Sequence, residues 1–189
     1  MTFNQMMIQF SAPTLCNIKC GNMFFTKSKE FNKYYFDNWK KTFYKMGFST
    51  FSLKLSDETT AILVLNLSWI NKILNQNLAK KYLKKKHYSS TNTSNFLNEL
   101  FSRMIENPDF PHEVGIILGY PVEDVIEFEK NQGHNCKYCG YWKSYSDVEK
   151  AKACQNKYKD CSIKCRFLYD QGYSLFQIIN TYKNEQKAA

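Results

Sequence analysis

Residues 51–67 read FSLKLSDETTAILVLNL and carry two strand patterns on either side of a polar turn. Phe51, Leu53 and Leu55 alternate with polar residues, which is the two-residue period of a half-buried strand. The run 61–67 begins with apolar residues at successive positions, as expected of a strand that is buried on both faces. We therefore predict a β-hairpin here.

Helical patterns dominate the chain on both sides of this hairpin. Apolar residues recur at intervals of three and four, and only 7 glycines and 4 prolines interrupt them. The predicted helices are 11–25 with Ser11 as N-cap and Pro13 in the first turn, 29–46, 68–87, 95–106, a short buried helix before Gly119, one from Pro121 to a stop at Gly133, and two opened by the capping pairs Ser146/Glu149 and Ser174/Gln177. Because two strands alone are marginal in water, residues 141–145 are the candidate third strand. The predicted fold class is α+β, predominantly helical with a small antiparallel sheet, in a single globular domain over 1–189 with a polar linker near 88–94.

The net charge of +9 comes from 26 Lys and Arg against 17 Asp and Glu. Such a balance is compatible with nucleic acid or an acidic partner. Arg103 and Arg166 are the only arginines, however, and base-reading proteins rely on the arginine fork. Composition therefore argues against nucleic acid as a partner, and the run Lys84-Lys85-Lys86-His87 is better explained as solvated cations at the negative end of a helix dipole. The Lys-rich face 80–86 is the candidate surface for an acidic partner.

The cellular compartment is predicted from two signals that this sequence does not show, a secretion signal and a membrane-spanning run. The first residues show no basic region, long apolar core or cleavage signal of a secreted protein, and no apolar run is long enough to span a bilayer. We therefore expect a cytoplasmic protein without a membrane span. In a reducing compartment the 7 cysteines are expected as thiols, metal ligands or small core residues rather than disulfides.

The clearest local motif is His134-Asn135-Cys136-Lys137-Tyr138-Cys139. Two thiolates separated by two residues can reach one ion, with His134 as a third ligand, or can carry out redox chemistry. Cys161 and Cys165, one helical turn apart, are the further candidate ligands, and zinc or iron is the candidate metal. The alternative is that these thiols are buried or incidental, since Cys161 and Cys165 also fit a core seam in which cysteine acts as a small hydrophobe.

His112-Glu113 is the candidate catalytic pair. A zinc-protease helix would need a second histidine where Ile116 stands, so that class is excluded. General acid or base chemistry by His112 with Glu113 stays open. The alternative is that His112 lies at a helix start with its ring bonded to a local backbone group.

Three segments, 11–24, 110–125 and 139–145, together resemble the bacterial family of unknown function DUF3793. The resemblance implies no established activity; it implies a loose association with flavodoxin and ferrous-iron uptake genes. The family tends to have Ala and Pro where this chain has Cys16 and Cys20, which implies that these two thiols are incidental. His112, Glu113, Cys139 and Trp142 fall on the family's motifs, and Trp142 is the candidate cofactor-binding residue.

Three functional hypotheses follow. The first is a metal-binding or redox accessory protein in iron metabolism, acting near His134, Cys136 and Cys139. The second is a non-catalytic interaction module whose lysines meet an acidic partner, such as a flavodoxin-like protein or nucleic acid. The third is a small enzyme that uses His112 as acid or base.

Overall fold

The computed structural model describes residues 1–89, 92–107 and 109–188. In chain order the elements are α1 (Phe3–Leu15), β1 (Gly21–Lys27), a 3₁₀ turn (Ser28–Glu30), α2 (Lys33–Lys45), β2 (Ser49–Lys54), β3 (Thr59–Leu65), α3 (Leu67–Leu74), α4 (Asn77–Lys85), α5 (Thr93–Glu106), α6 (Val114–Ile117), α7 (Val122–Lys130), β4 (Tyr138–Cys139), β5 (Lys143–Ser144), α8 (Val148–Asp170) and α9 (Leu175–Ala188). The predicted α+β class, mostly helical with a small antiparallel sheet, is confirmed. The chain divides into two compact units, which are described separately: Met1–Asn66 with Asn156–Ala189, and Leu67–Gln155.

The first unit is built on a three-stranded antiparallel sheet in the order β1-β3-β2. The predicted hairpin is confirmed as β2 and β3, with Phe51 opposite Leu63. The central strand β3 is apolar from Ala61 to Leu65 and fully buried there, so it needs a neighbour on each side. The prediction that residues 141–145 supply the third strand is wrong, because β1 does, with Met23 opposite Leu63.

The predicted helix over 11–25 is also wrong. The helix α1 begins at Phe3, where Thr2 and Gln5 form a reciprocal capping box, and it ends at Leu15. Pro13 therefore lies inside its last turn rather than its first. The segment after it forms β1, because Asn22–Lys27 pairs along its whole length with β3.

Three helix boundaries differ from their sequence predictions for local reasons. The predicted helix 68–87 is two helices, α3 and α4, separated by Asn75, which lies in a turn, and by Gln76, whose backbone is extended. The N-terminus of α8 is capped by Asp147, whose carboxylate accepts the Lys150 N–H at 3.0 Å. The predicted capping residue Ser146 instead donates its hydroxyl to Asp124.

The remaining predicted helices are present, with shifted ends in two cases. The predicted helix 29–46 is α2, Lys33–Lys45, after the 3₁₀ turn Ser28–Glu30, and the predicted helix 95–106 is α5, Thr93–Glu106. The Ser174/Gln177 capping pair is present at the start of α9, where the Ser174 hydroxyl accepts the Gln177 N–H. Asn92 caps α5. Within the predicted linker 88–94, residues 90 and 91 lie outside the described residues.

The core of the first unit joins α1, α2, the sheet, α9 and the C-terminal part of α8. Its buried members share an apolar surface that also includes three cysteines, and they are Met7, Ile8, Ala12, Leu15, Cys16, Phe24, Phe36, Phe43, Phe48, Ile62, Val64, Cys161, Cys165, Leu168, Ile178, Ile179 and Tyr182. The second unit has its own buried residues, among them Ile70, Leu83, Phe96 and Leu100. Within the described ranges, no helix has both the length and the apolar composition needed to span a bilayer.

Candidate functional site

Three cysteine thiols meet in the core of the first unit. Cys16 follows the last residue of α1, and Cys161 and Cys165 lie one turn apart on the same face of α8. The sulfur of Cys165 is 3.8 Å from that of Cys16 and 4.0 Å from that of Cys161. All three sulfurs lie within 4.8 Å of one another, and in the part of the chain that the structure describes no other group of three potential His, Cys, Asp or Glu ligands is so close.

Hydrogen bonds at the end of α1 and between α1 and α8 fix the positions of the two helices that carry these thiols. The N–H of Cys16 donates to the Ala12 carbonyl at 2.8 Å, which fixes the end of α1. Farther along the same helix, Gln5 donates to the Asp170 carboxylate at 2.9 Å, and Arg166 donates to the side-chain oxygen of Gln9 at 3.2 Å. The thiols are therefore positioned by α1 and α8 together rather than by a flexible loop.

Electrostatic interactions within the cluster favour the deprotonated form of one cysteine, Cys16. Hydrogen bonds from the Cys161 and Cys165 thiols outweigh burial and, with the Lys183 ammonium, hold the pKa of Cys16 well below its ordinary value. The same bonds to Cys16, reinforced by burial, raise the pKa of Cys161 and Cys165. Because the thiolate is both the nucleophile and the metal ligand, the cluster can bind a soft metal ion or undergo thiol oxidation.

The spacing of the sulfurs suits a metal ion. With metal–sulfur bonds of about 2.3 Å, sulfurs that share an ion lie about 3.8 Å apart in a tetrahedral site and about 4.0 Å apart in a trigonal one. Two of the sulfur pairs, at 3.8 and 4.0 Å, already have these separations. Cys16, Cys161 and Cys165 could therefore hold a zinc or ferrous ion.

Of the five metal ligands proposed from sequence, only Cys161 and Cys165 belong to this cluster. His134 and Cys139 are exposed and Cys136 is half-buried, and these three do not form a group of three ligand atoms within 4.8 Å among the described residues. They lie in the second unit, which excludes residues beyond Gln155.

Cys16 is the member of the cluster that sequence reasoning set aside as incidental. Its neighbour Cys20 is also buried, but it is not part of the cluster, and burial raises the pKa of its thiol to about 12. The usable signal was a second pair of cysteines at i, i+4 spacing. Only the three-dimensional structure shows that one member of each such pair, Cys16 and Cys165, come into contact.

The second unit contains a cavity of about 340 Å³. Its lining draws on the two sequence segments 110–125 and 139–145, and consists of Phe110, Pro111, His112, Val114, Gly115, Tyr120, Asp124, Val125, Phe128, Cys139, Gly140, Tyr141, Trp142 and Lys143. The candidate residues His112, Cys139 and Trp142 therefore share one cavity, although they are far apart in sequence. The His112 ring meets the edge of Phe128 at 5.0 Å between ring centroids.

Glu113, the proposed partner of His112, belongs to a different environment. Its side chain is 2% exposed and its Oε1 atom lies 3.7 Å from the Lys86 ammonium. Lys86 also donates to Glu129 at 3.0 Å, and Tyr82 donates to the other oxygen of Glu129. Glu113 thus belongs to a buried charge network rather than to the lining of the cavity.

Asp124 organises the wall of the cavity. Its Oδ2 accepts the indole N–H of Trp142 at 2.9 Å, and its Oδ1 accepts the N–H of Tyr145 and both the N–H and the hydroxyl of Ser146. Burial alone would raise the pKa of Asp124, but these hydrogen bonds hold it below its ordinary value. Asp124 is therefore an ionised structural anchor, and Trp142 is oriented by it.

Comparison with known proteins gives one family and no relative of known function. No curated protein and no solved structure matches the chain at a significant level. The resemblance based on residues 11–24, 110–125 and 139–145 is confirmed over a longer range. The model of the family described as "Protein of unknown function (DUF3793)" matches residues 7–179, and the chain belongs to this family.

Proposed function

We propose that the protein binds a thiophilic metal ion through Cys16, Cys161 and Cys165 and serves as a metal-binding accessory protein. The observation that carries this proposal is the contact of three buried thiols at sulfur separations of 3.8 and 4.0 Å. These separations match two thiolates on one ion.

The surroundings support an anionic metal site. Three thiolates around a divalent ion leave one net negative charge, which is costly in an apolar core unless cations lie near it. Lys183 lowers the pKa of Cys16, and Lys164 acts in the same direction on Cys165. Tyr182 is 3% exposed, and burial together with the Cys161 thiol raises its pKa, so water has little access to this side of the cluster.

Zinc and ferrous iron are the metals to test. Thiolates bind both, and iron is included because the family resemblance implies an association with ferrous-iron uptake genes. Binding requires the release of thiol protons, so the affinity is expected to rise with pH. A redox role is compatible with the same thiols, since loss of the metal would free them for oxidation.

The test is metal content and metal titration of protein purified without oxygen. We expect one equivalent of zinc or ferrous iron, retained in Cys154→Ser and lost in Cys165→Ser. Cys154 is a matched control because it lies on the same helix α8 and outside the cluster. The double variant Cys136→Ser, Cys139→Ser tests the loop motif and is expected to keep the metal.

Two results would contradict the proposal. One is wild-type protein that takes up neither ion while remaining folded and fully reduced. The other is a metal that survives Cys165→Ser and is lost from the loop double variant, which would move the site to His134, Cys136 and Cys139.

Metal binding should also stabilise the fold. A ligand at a hundred times its dissociation constant adds about 2.7 kcal/mol to the free energy of unfolding. Thermal unfolding with and without zinc should therefore show a higher Tm for the wild type and for Cys154→Ser, but no zinc-dependent rise for Cys165→Ser.

A further inference from the structure

We infer that the cavity of the second unit binds a planar aromatic molecule with one acidic group, such as an aromatic carboxylate. This inference does not depend on the proposed metal site, because the cavity contains none of Cys16, Cys161 and Cys165.

The size and lining of the cavity suit a small aromatic molecule. Ligand cavities have volumes of about 300–1,000 Å³ and are mostly apolar with a few polar groups. An apolar cavity of about 150 Å³ holds benzene, so about 340 Å³ is space for two fused rings. Aromatic side chains predominate in the walls, and they are Phe110, Tyr120, Phe128, Tyr141 and Trp142.

The aromatic walls are held in place before any ligand arrives. Trp142 is stacked on Tyr120, with ring centroids 5.2 Å apart and an angle of 22° between the planes. Asp124 fixes the Trp142 indole, and the Tyr120 hydroxyl donates to the Tyr141 carbonyl at 3.1 Å. A preformed wall reduces the ordering cost of binding a rigid, flat molecule.

Two glycines permit this close packing. A Cβ atom at Gly115 would lie 2.8 Å from Val125 and 3.0 Å from the Tyr120 ring, so a side chain there would displace the aromatic wall. A Cβ at Gly140 would lie 1.8 Å from the side-chain oxygen of Gln155, which accepts the Tyr141 N–H. The close packing of the cavity walls therefore depends on a glycine in each of the two segments 110–125 and 139–145.

The lining holds two charged side chains, Asp124 and Lys143, and of these Lys143 is the one with hydrogen-bonding capacity left for a ligand. The Asp124 carboxylate accepts four hydrogen bonds from the protein, which is the full capacity of a carboxylate. Lys143 donates to the Gly133 carbonyl at 2.7 Å, and its ammonium lies 5.7 Å from the centre of the Phe128 ring. An ammonium has three N–H donors, so Lys143 can also bind an anionic group at the aromatic wall. The His112 ring, whose centroid lies 5.0 Å from that of Phe128, adds a polar imidazole to the lining.

The test uses 2-naphthoate as the probe and 2-naphthamide as its neutral analogue of the same shape. Calorimetric titration of the wild-type protein is expected to show binding of 2-naphthoate that is about tenfold tighter than binding of 2-naphthamide, because a hydrogen bond to a charged group is stronger than a neutral one. In a two-dimensional ¹H–¹⁵N spectrum the Trp142 indole signal should move on addition of the probe, whereas Trp39 and Trp69 serve as internal controls.

Variants separate charge from shape. Lys143→Met should lose the preference for the carboxylate, Lys143→Arg should keep it, and the exposed Lys137→Met should behave as wild type. Val114→Phe should abolish binding of both probes, because Val114 lines the cavity and the larger ring fills it. These variants are compared only where their spectra show a folded protein.

The inference is overturned if 2-naphthoate does not bind the wild type, or if it binds without moving the Trp142 signal. Equal affinity for the two probes, or equal behaviour of Lys143→Met and Lys137→Met, would overturn the assignment of the anion to Lys143.

Discussion

Lys19 is the residue whose burial has the clearest thermodynamic consequence. Its side chain is 7% exposed, and its ammonium lies 5.4 Å from the centre of the Tyr158 ring. Burial lowers its pKa from the ordinary value of 10.5 to about 8, and the neighbouring Cys20 only partly opposes this effect. The folded protein therefore binds this proton more weakly than the unfolded chain does.

Lys19→Met is accordingly predicted to stabilise the protein at pH 7. The penalty for Lys19 is complete below about pH 8, shrinks as the pH rises towards 10.5, and is absent above it, where the ammonium is lost in both states. The gain at pH 7 should be roughly 1–3 kcal/mol and should shrink towards pH 10.5. Denaturant unfolding of the variant and the wild type at several pH values measures this difference.

The exposed Lys29 gives the control for this experiment. Lys29→Met should change the free energy of unfolding little at any of these pH values, because exposed side chains rarely affect stability. A gain for Lys19→Met that is constant between pH 7 and pH 10.5 would show that the lysine charge is not its cause.

At the level of single residues, prediction from sequence succeeded where the residues that come together are close in sequence. The helical spacing of Cys161 and Cys165 already placed them on one face of a helix, and both are in the thiol cluster. Cys16 could not be assigned in this way, because its partner Cys165 is 149 residues away along the chain. Contacts of this kind depend on tertiary packing, which neither periodicity nor local motifs encode.

At the scale of elements, the short β4–β5 sheet depends on its contact with α8. The side-chain oxygen of Gln155 accepts the Tyr141 N–H at 2.7 Å, and Gln155 is 5% exposed. A Cβ at Gly140 would meet that same oxygen at 1.8 Å. The Gln155 side chain would have to move, and its hydrogen bond to Tyr141 would be lost.

Gly140→Ala and Gln155→Ala should therefore have overlapping effects. Each is expected to cost about 1 kcal/mol, since each removes the hydrogen bond between the buried Gln155 side chain and the partly buried Tyr141 N–H. The double variant should cost little more than one single variant, and a double-mutant cycle from denaturant unfolding measures this coupling. Strictly additive costs would mean that the two residues act independently.

The elements that sequence predicted well are those with a strong local pattern. The hairpin β2–β3 has strict alternation followed by a turn, and α9 has its capping pair. The segment 11–25 was predicted as helix because Pro13 and Ser11 resemble a helix start. Pairing of β1 with β3 overrides that local preference and could not be deduced before the partner strand was known.

At the scale of the molecule, α8 contributes residues to both compact units, since one ends at Gln155 and the other resumes at Asn156. A continuous helix is cooperative along its length, and breaking it at this point would expose unpaired backbone groups. We propose that the chain unfolds as one domain in spite of the two units.

The indole signals of Trp39 and Trp142 report on the two units separately. Trp39 donates to Asn4 in the first unit at 2.8 Å, and Trp142 donates to Asp124 in the second. Both signals should disappear at the same urea concentration, because two-state unfolding gives coincident transitions for different probes. Well-separated midpoints would show two independently stable domains.

The two hypotheses that involve a partner or catalysis stay predictions. Lys80, Lys81, Lys84 and Lys85 are exposed, so an acidic partner such as a flavodoxin-like protein has access to them. Lys86, in contrast, already forms an ion pair with Glu129 and lies near the Glu113 carboxylate. His112 shares a cavity with Cys139 and Lys143, and its role as acid or base depends on a substrate that is still to be identified.

The most direct measurement of the proposed metal site is the zinc K-edge X-ray absorption spectrum of the reduced, zinc-loaded protein. We expect three sulfur ligands at about 2.3 Å, supplied by Cys16, Cys161 and Cys165. A spectrum with imidazole scattering and at most two sulfurs would instead identify His134, Cys136 and Cys139. A spectrum without sulfur ligands would mean that the buried thiols are not a metal site.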